Sequence, residues 1–342
     1  ADSRACGFVD VNNDGWEDIF ITNGPSGGQN NALYLNDGTG QFIKIEDDSF
    51  TSDNSSSDGA AFADADNDGD PDALVVTWYG QINYFYQNNG DGSFSHLPDA
   101  VTGNTGTFSE ATSWGDYDND GWADVLITNS DGNKRNLLYK NIDGTEFDKV
   151  NESPFSTDIN TSRSISWTDY DLDNDLDLYI CNENNEKNNL YQNDGQGNFI
   201  KITNTEITDD LKSSMSRSRG DIDNDGDLDL FVANARYFQE ADNQLFINNG
   251  DGTFTQSSTT VFEEDGGCSY SSSFADIDND ADLDLLVTNG YCNSNLQEFL
   301  YVNDGLGNFS RSQGSLPDLP ARCSYGCAWG DFNNDGFLDL VI

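Results

Sequence analysis

The chain has 342 residues, with 62 Asp or Glu against 15 Lys or Arg, for a formal net charge of −47. That sign makes nucleic acid and anionic membrane surfaces poor partners, and no run reaches the ~18 apolar residues of a membrane span. Aromatic and β-branched residues recur at fixed places, which excludes a disordered acidic tail.

Read from the start, residues 3–9 form a first strand, a, and residues 10–18 an acidic loop. Residues 19–23 are strand b, and 24–30 a Gly/Pro/Asn loop. Residues 31–36 are strand c, 37–40 an Asp-Gly hairpin turn, and 41–45 strand d. The acidic loop then returns at Asp64, Asp116, Asp169, Asp221, Asp276 and Asp331, 52 to 55 residues apart. The c–d hairpin returns with it, as in Asn88 to Phe94 and Asn248 to Phe254. Four antiparallel strands per ~50 residues describe a propeller blade. The expected fold is therefore all-β, a seven-bladed propeller in one domain over 1–342, with repeats near 3, 57, 109, 162, 214, 269 and 324. No segment has helical periodicity of useful length. The chain ends inside strand b of the seventh copy, so the expectation is a last blade incomplete here and a fragment of a longer protein.

The fifth loop, Asp221–Asp229, is the clearest: Asp at positions 1, 3, 5 and 9 and Gly226 at position 6. Hard oxygen ligands at alternate positions around a tight turn suit Ca²⁺. Position 12 is aliphatic in every copy, not the bidentate Glu of an EF-hand. The side-chain candidates are Asp10, Asn12, Asp14 and Asp18; Asp64, Asp66, Asp68 and Asp72; Asp116, Asp118, Asp120 and Asp124; Asp169, Asp171, Asp173 and Asp177; Asp221, Asp223, Asp225 and Asp229; Asp276, Asp278, Asp280 and Asp284; and Asp331, Asn333, Asp335 and Asp339. Asn174 and Ala281 replace the glycine in the fourth and sixth copies.

Strand a carries the remaining pattern. Counted back from the first Asp, position −7 is Ser in all seven copies, and −1, −3 and −5 are mostly small. Position −2 is aromatic except at Arg219, as expected of core between blades. Position −6 reads Arg4, Asp58, Glu110, Arg163, Met215, Tyr270 and Tyr325, residues that are large, charged or aromatic and follow no structural repeat. That is how a ligand-facing ring looks on a regular scaffold. The b–c loops add Trp78, Tyr79 and Tyr237, and these should share one face with Arg4, Arg163, Tyr270 and Tyr325, opposite the acidic loops. The two arginines would be cationic spots for a carboxylate or sulfate.

Six cysteines are present, none in a CxxC pair. Counting cross-strand partners outward from Asp276 opposite Asp284 sets Cys268 against Cys292, an expected disulfide. Arg219-Gly220-Asp221 spells an adhesion tripeptide, but Asp221 is already committed to the loop.

Residues 114–124, Trp-Gly-Asp-Tyr-Asp-Asn-Asp-Gly-Trp-Ala-Asp, followed by Asn-Leu-Leu-Tyr-Lys-Asn at 136–141, resemble FG-GAP/VCBS repeats. The resemblance spans essentially the whole chain and extends to integrin-α-like and cartilage-acidic-protein-like propellers. It implies up to seven Ca²⁺ in the a–b loops, with position 7 giving a backbone carbonyl: Trp16, Asp70, Trp122, Asp175, Asp227, Asp282 and Phe337. It implies ligands on the opposite face. The reading that follows is a calcium-stabilised extracellular or cell-surface module binding protein or glycan, without nucleic acid or membrane insertion. Two other readings stay open: a self-assembling subunit of a surface layer or filament, and a polysaccharide lyase or hydrolase on a propeller.

Overall fold

The computed structural model describes residues 2–24, 27–101, 108–131, 134–236, 239–259, 261–262, 267–291, 297–312 and 323–342. Alternating strands and Asp-Gly turns give six four-stranded antiparallel sheets. The first is β1 (Ser3–Val9), β2 (Asp18–Asn23), β3 (Ala32–Asn36) and β4 (Phe42–Ile45). The second is β5 (Ser57–Ala63), β6 (Asp72–Thr77), β7 (Tyr84–Asn88) and β8 (Phe94–His96). The third is β9 (Phe108–Gly115), β10 (Asp124–Asp131), β11 (Leu137–Asn141) and β12 (Phe147–Val150). The fourth is β13 (Ser162–Thr168), β14 (Asp177–Asn182), β15 (Asn189–Asn193) and β16 (Phe199–Ile202). The fifth is β17 (Ser214–Gly220), β18 (Asp229–Asn234), β19 (Gln244–Asn248) and β20 (Phe254–Gln256). The sixth is β21 (Ser269–Ala275), β22 (Asp284–Asn289), β23 (Phe299–Asn303) and β24 (Phe309–Arg311).

The seventh repeat differs from the expectation. Among the described residues it forms a two-stranded sheet, β25 (Ala328–Gly330) and β26 (Asp339–Val341), so the structure has six blades rather than seven. One helical turn, α1 (Pro154–Thr157), also departs from the all-strand reading. Ser153 and Ser156 cap it reciprocally, and Pro154 opens it. No helix among the described residues is long and apolar enough to cross a membrane.

The core lies between neighbouring blades. Leu74 and Phe85 of the second blade pack with Val125, Tyr139 and Phe147 of the third. Phe231 of the fifth packs with Leu285, Tyr301 and Phe309 of the sixth. The position −2 aromatics belong to these interfaces: Phe62 lies 4.7 Å from Phe20 and Trp114 6.0 Å from Phe147.

Two asparagine systems tie the blades together. The last residue of each strand c sends its side-chain amide to the loop of the preceding blade. Asn88 donates to Val11 O at 2.8 Å, Asn141 to Ala65 O at 2.8 Å and Asn193 to Tyr117 O at 2.7 Å. Asn248 and Asn303 repeat this, and Asn36 donates to Phe332 O at 2.7 Å, joining the first blade to the seventh repeat. Position 4 of the loops makes a second set of links, interrupted at Leu172 of the fourth: Asn13 reaches Gly69 O, Asn67 reaches Gly121 O, and Asn334 reaches Gly15 O.

Candidate functional site

Each acidic loop is held open by its own backbone. The first Asp accepts the N–H groups of positions 5 and 6, as Asp221 does from Asp225 and Gly226 at 3.0 and 3.1 Å. The turn needs positive φ at position 6. Gly226 has φ +99°, and the two substitutes adopt the same region, Asn174 at +73° and Ala281 at +76°.

Position 9 behaves differently from positions 1, 3 and 5. Asp72 is buried, and its two oxygens accept Ala65 N–H at 3.1 Å and Asn88 N–H at 2.8 Å. Asp18, Asp124, Asp177 and Asp229 repeat this arrangement. Burial pushes the carboxyls of Asp72, Asp124, Asp177 and Asp229 up to about 7, and Asp18 to about 6. Position 9 thus braces the loop against strand c.

The donor set fits a hard cation. Five clusters hold three carboxylate oxygens within 4.8 Å of one another: Asp64/Asp66/Asp68, Asp116/Asp118/Asp124, Asp169/Asp171/Asp177, Asp221/Asp223/Asp225 and Asp276/Asp278/Asp280. The covered Oδ1 atoms of Asp118, Asp171 and Asp223 have no hydrogen-bond partner, nor do Oδ2 of Asp284 and Asp339. Carboxylate oxygens shut from water without donors are stabilised by a bound positive charge. In the third blade a side chain supplies one: Lys140 Nζ pairs with Asp118 and sits 2.8 Å from Asp120. The loops therefore could hold metal ions.

About 20 Å from the loops along strand a, by its ~3.3 Å rise per residue, the position −6 residues converge. All seven line one axial chamber of about 300 Å³: Arg4, Asp58, Glu110, Arg163, Met215, Tyr270 and Tyr325. Tyr270 and Tyr325 have ring centroids 4.9 Å apart, and Tyr291 lies 5.2 Å from Tyr325. The Arg4 guanidinium stacks 4.3 Å over the Tyr325 ring.

The expected free cationic spots are not free. Arg163 pairs with Glu110 and, at 2.9 Å, with Glu183, while Arg4 lies 3.5 Å from Asp58. Burial pushes the Glu110 carboxyl up to about 7, against the opposing pull of Arg163. These pairs tie position −6 residues of adjacent blades to each other, a role sequence reading missed. Trp78 and Tyr79 do not line the chamber. They form their own cluster with Phe108, at 5.5 and 6.1 Å, and Tyr79 is 52% exposed. Tyr237 lies outside the described residues.

The serine at position −7 is a relay rather than simply a small residue. Ser109 Oγ accepts from Asn83 at 3.1 Å and donates to Asn129 at 2.9 Å. Ser162, Ser214 and Ser269 do the same. The adhesion tripeptide is also structural: Arg219 reaches Thr168 Oγ1 at 3.0 Å and Asp221 serves its loop.

The strand register corrects the cysteine count. Ala275, not Asp276, opposes Asp284, and the pairing shifts again between Ser269 and Ser271. Cys268 O accepts from Gly290 N–H at 3.0 Å, so Gly290 is the described residue hydrogen-bonded to it across the hairpin. Cys292 itself lies outside the described residues. The described free cysteines are Cys6, Cys181, Cys323 and Cys327.

Comparison with known proteins agrees with this geometry. A family model described as an FG-GAP-like repeat matches residues 10–75, 66–127, 116–180, 169–232, 221–287 and 292–342. No curated protein matches the chain. Among solved structures, a lectin of Agrocybe aegerita superposes with TM-score 0.60 at 17% identity, over 89% of this chain and 77% of that one. That structure was described for its recognition of non-reducing terminal N-acetylglucosamine. A Photorhabdus luminescens Tc holotoxin pore aligns with TM-score 0.47 at 16% identity, over 83% of this chain and 13% of that one. With six repeat matches spread from residue 10 to residue 342, the chain belongs to the FG-GAP-like repeat family of β-propellers.

Proposed function

We propose that the protein is a calcium-stabilised recognition module that binds glycan ligands at the mouth of its axial chamber. The observation that carries this reading is the position −6 ring. Six strands and the segment before β25 place side chains of five kinds, Arg, Asp, Glu, Met and Tyr, around one cavity, while the scaffold beneath repeats. The Tyr270, Tyr291 and Tyr325 rings offer the stacking area that sugar faces use. The Agrocybe aegerita lectin, on the same fold, gives the reading a precedent in glycan recognition. A binding array of glycans, read with the calcium-loaded chain, tests it. Saturable binding to a sugar class supports the proposal, and a blank array contradicts it.

Calcium would be held by the carboxylates of positions 1, 3, 5 and 9, of which position 9 also braces the loop. Bound there, it would neutralise groups that otherwise repel one another. Millimolar calcium is an extracellular condition, so the same proposal sets the protein outside the cell or on its surface. The seventh repeat would bridge the sixth and first blades, a reading supported by its links through Asn36 and Asn334 to the first blade. Cys268, which is not among the free thiols, would pair with Cys292. Non-reducing peptide mapping checks this, and free thiols at both positions would refute it.

A further inference from the structure

The chamber contains three arginines, and two of them are neutralised by carboxylates. Arg4 has Asp58, and Arg163 has Glu110 and Glu183. Arg217 is different. It reaches the chamber from β17, donates through Nη2 to Ile165 O, and forms no ion pair among the described residues. Its Nε has no hydrogen-bond partner. Thr112 of β9 lines the same chamber, and its hydroxyl is also without a partner. An unpaired guanidinium away from bulk water is costly, and so is an unpaired hydroxyl. The chain has only 15 basic residues against 62 acidic ones, yet no carboxylate among the described residues is spent on this one. Two unmet polar groups in one cavity mark a place where the partner comes from outside.

We propose that Arg217 is the anchor of a carboxylate seat inside the axial chamber, which takes the acid group of a single sugar-acid residue. The guanidinium holds the carboxylate by charge-assisted hydrogen bonds. The Thr112 hydroxyl donates a further one. Tyr270 and Tyr325 line the same cavity and flank the sugar ring. The size agrees: about 300 Å³ is at the small end of ligand pockets, suited to one ring rather than an extended chain. The inference rests on the chamber being the recognition site, and it adds what is recognised there.

Calorimetric titration of the calcium-loaded chain with free D-glucuronate tests it, with D-glucose as the uncharged control. Saturable glucuronate binding without glucose binding is expected. Arg217→Met should weaken it at least tenfold, and Thr112→Val by roughly tenfold, as the loss of one hydrogen bond to a charged group would. Arg217→Met should also melt no lower than the parent chain, because it removes an unpaired buried charge. A purely structural Arg217 would lower the melting temperature instead. Equal affinity for glucuronate and glucose, or undiminished binding by Arg217→Met, overturns the seat. If Arg217→Met does not fold, Thr112→Val decides: unchanged glucuronate affinity overturns it. A blank glycan array with intact glucuronate binding contradicts recognition of larger glycans and leaves the seat standing. An array hit without glucuronate binding overturns the seat alone.

Discussion

The two ends of strand a obey opposite rules. At the loop end, every blade carries the same first Asp accepting from position 5 and the same positive φ at position 6. At the chamber end, position −6 changes from blade to blade through the first six, Arg4, Asp58, Glu110, Arg163, Met215 and Tyr270. The loop rim is linked blade to blade, so its parts must match. The chamber residues meet at one axis, where each can differ without breaking the repeat. Regularity therefore marks the scaffold, and its interruption marks the surface free to bind.

The largest effect should come from removing the cation at the rim. Chelation should lower the melting temperature by on the order of 10 °C, because ligand binding to the folded state alone stabilises by mass action. A melting curve in excess EDTA checks this. An unchanged melt with metal shown to be gone would erase the contrast between the two ends.

Next comes the amide latch. Asn193→Ala leaves the carbonyls of Tyr117 and Leu176 without their donor and should cost about 2–4 kcal/mol by urea denaturation. Met215→Leu in the chamber, a volume-conserving swap, should stay within about 1 kcal/mol. Similar losses for both would mean that the chamber is as structural as the rim.

A smaller effect concerns pH. Burial raises Glu110 to about 7 in the folded chain, against about 4.3 in an unfolded one. Its neighbours are Arg163, Asp58 and Ser130. The folded state binds the proton more tightly, so this stabilisation is full below about 4.3 and lost as pH rises through about 7. Relative to Glu110→Gln, the parent chain should therefore be more stable at pH 5 than at pH 8. Urea midpoints at both pH values read the difference, and a constant difference would contradict the assignment. Smallest is Ala281→Gly at the rim, which relieves a φ of +76° and should add roughly 1 kcal/mol.

Much of the scaffold was legible in the sequence. Ser3–Val9 is the first strand as read, and strand b begins one residue earlier than read because position 9 already pairs with position −1. The asparagine latch was readable in principle, since Asn36, Asn88, Asn141, Asn193, Asn248 and Asn303 recur at the end of strand c. It went unread because hairpin-turn chemistry alone explains an Asn there. The ion pairs of the chamber were not legible. Glu110 and Arg163 are 53 residues apart, and only the blade spacing makes them neighbours. The cross-strand count at Cys268 ran two residues off for local reasons, since Ala275 rather than Asp276 opposes Asp284 and a bulge lies between Ser269 and Ser271; the proposed pairing of Cys268 does not depend on that count.

The central claim is that recognition belongs to the chamber mouth and stability to the rim. The most direct test is the affinity of the Tyr270→Ala/Tyr325→Ala double variant for the glycan that the array identifies. The account predicts a loss of roughly 1–2 kcal/mol per tyrosine with an unchanged melting temperature. Normal binding by the double variant would contradict it and move the site to the outer blade edges.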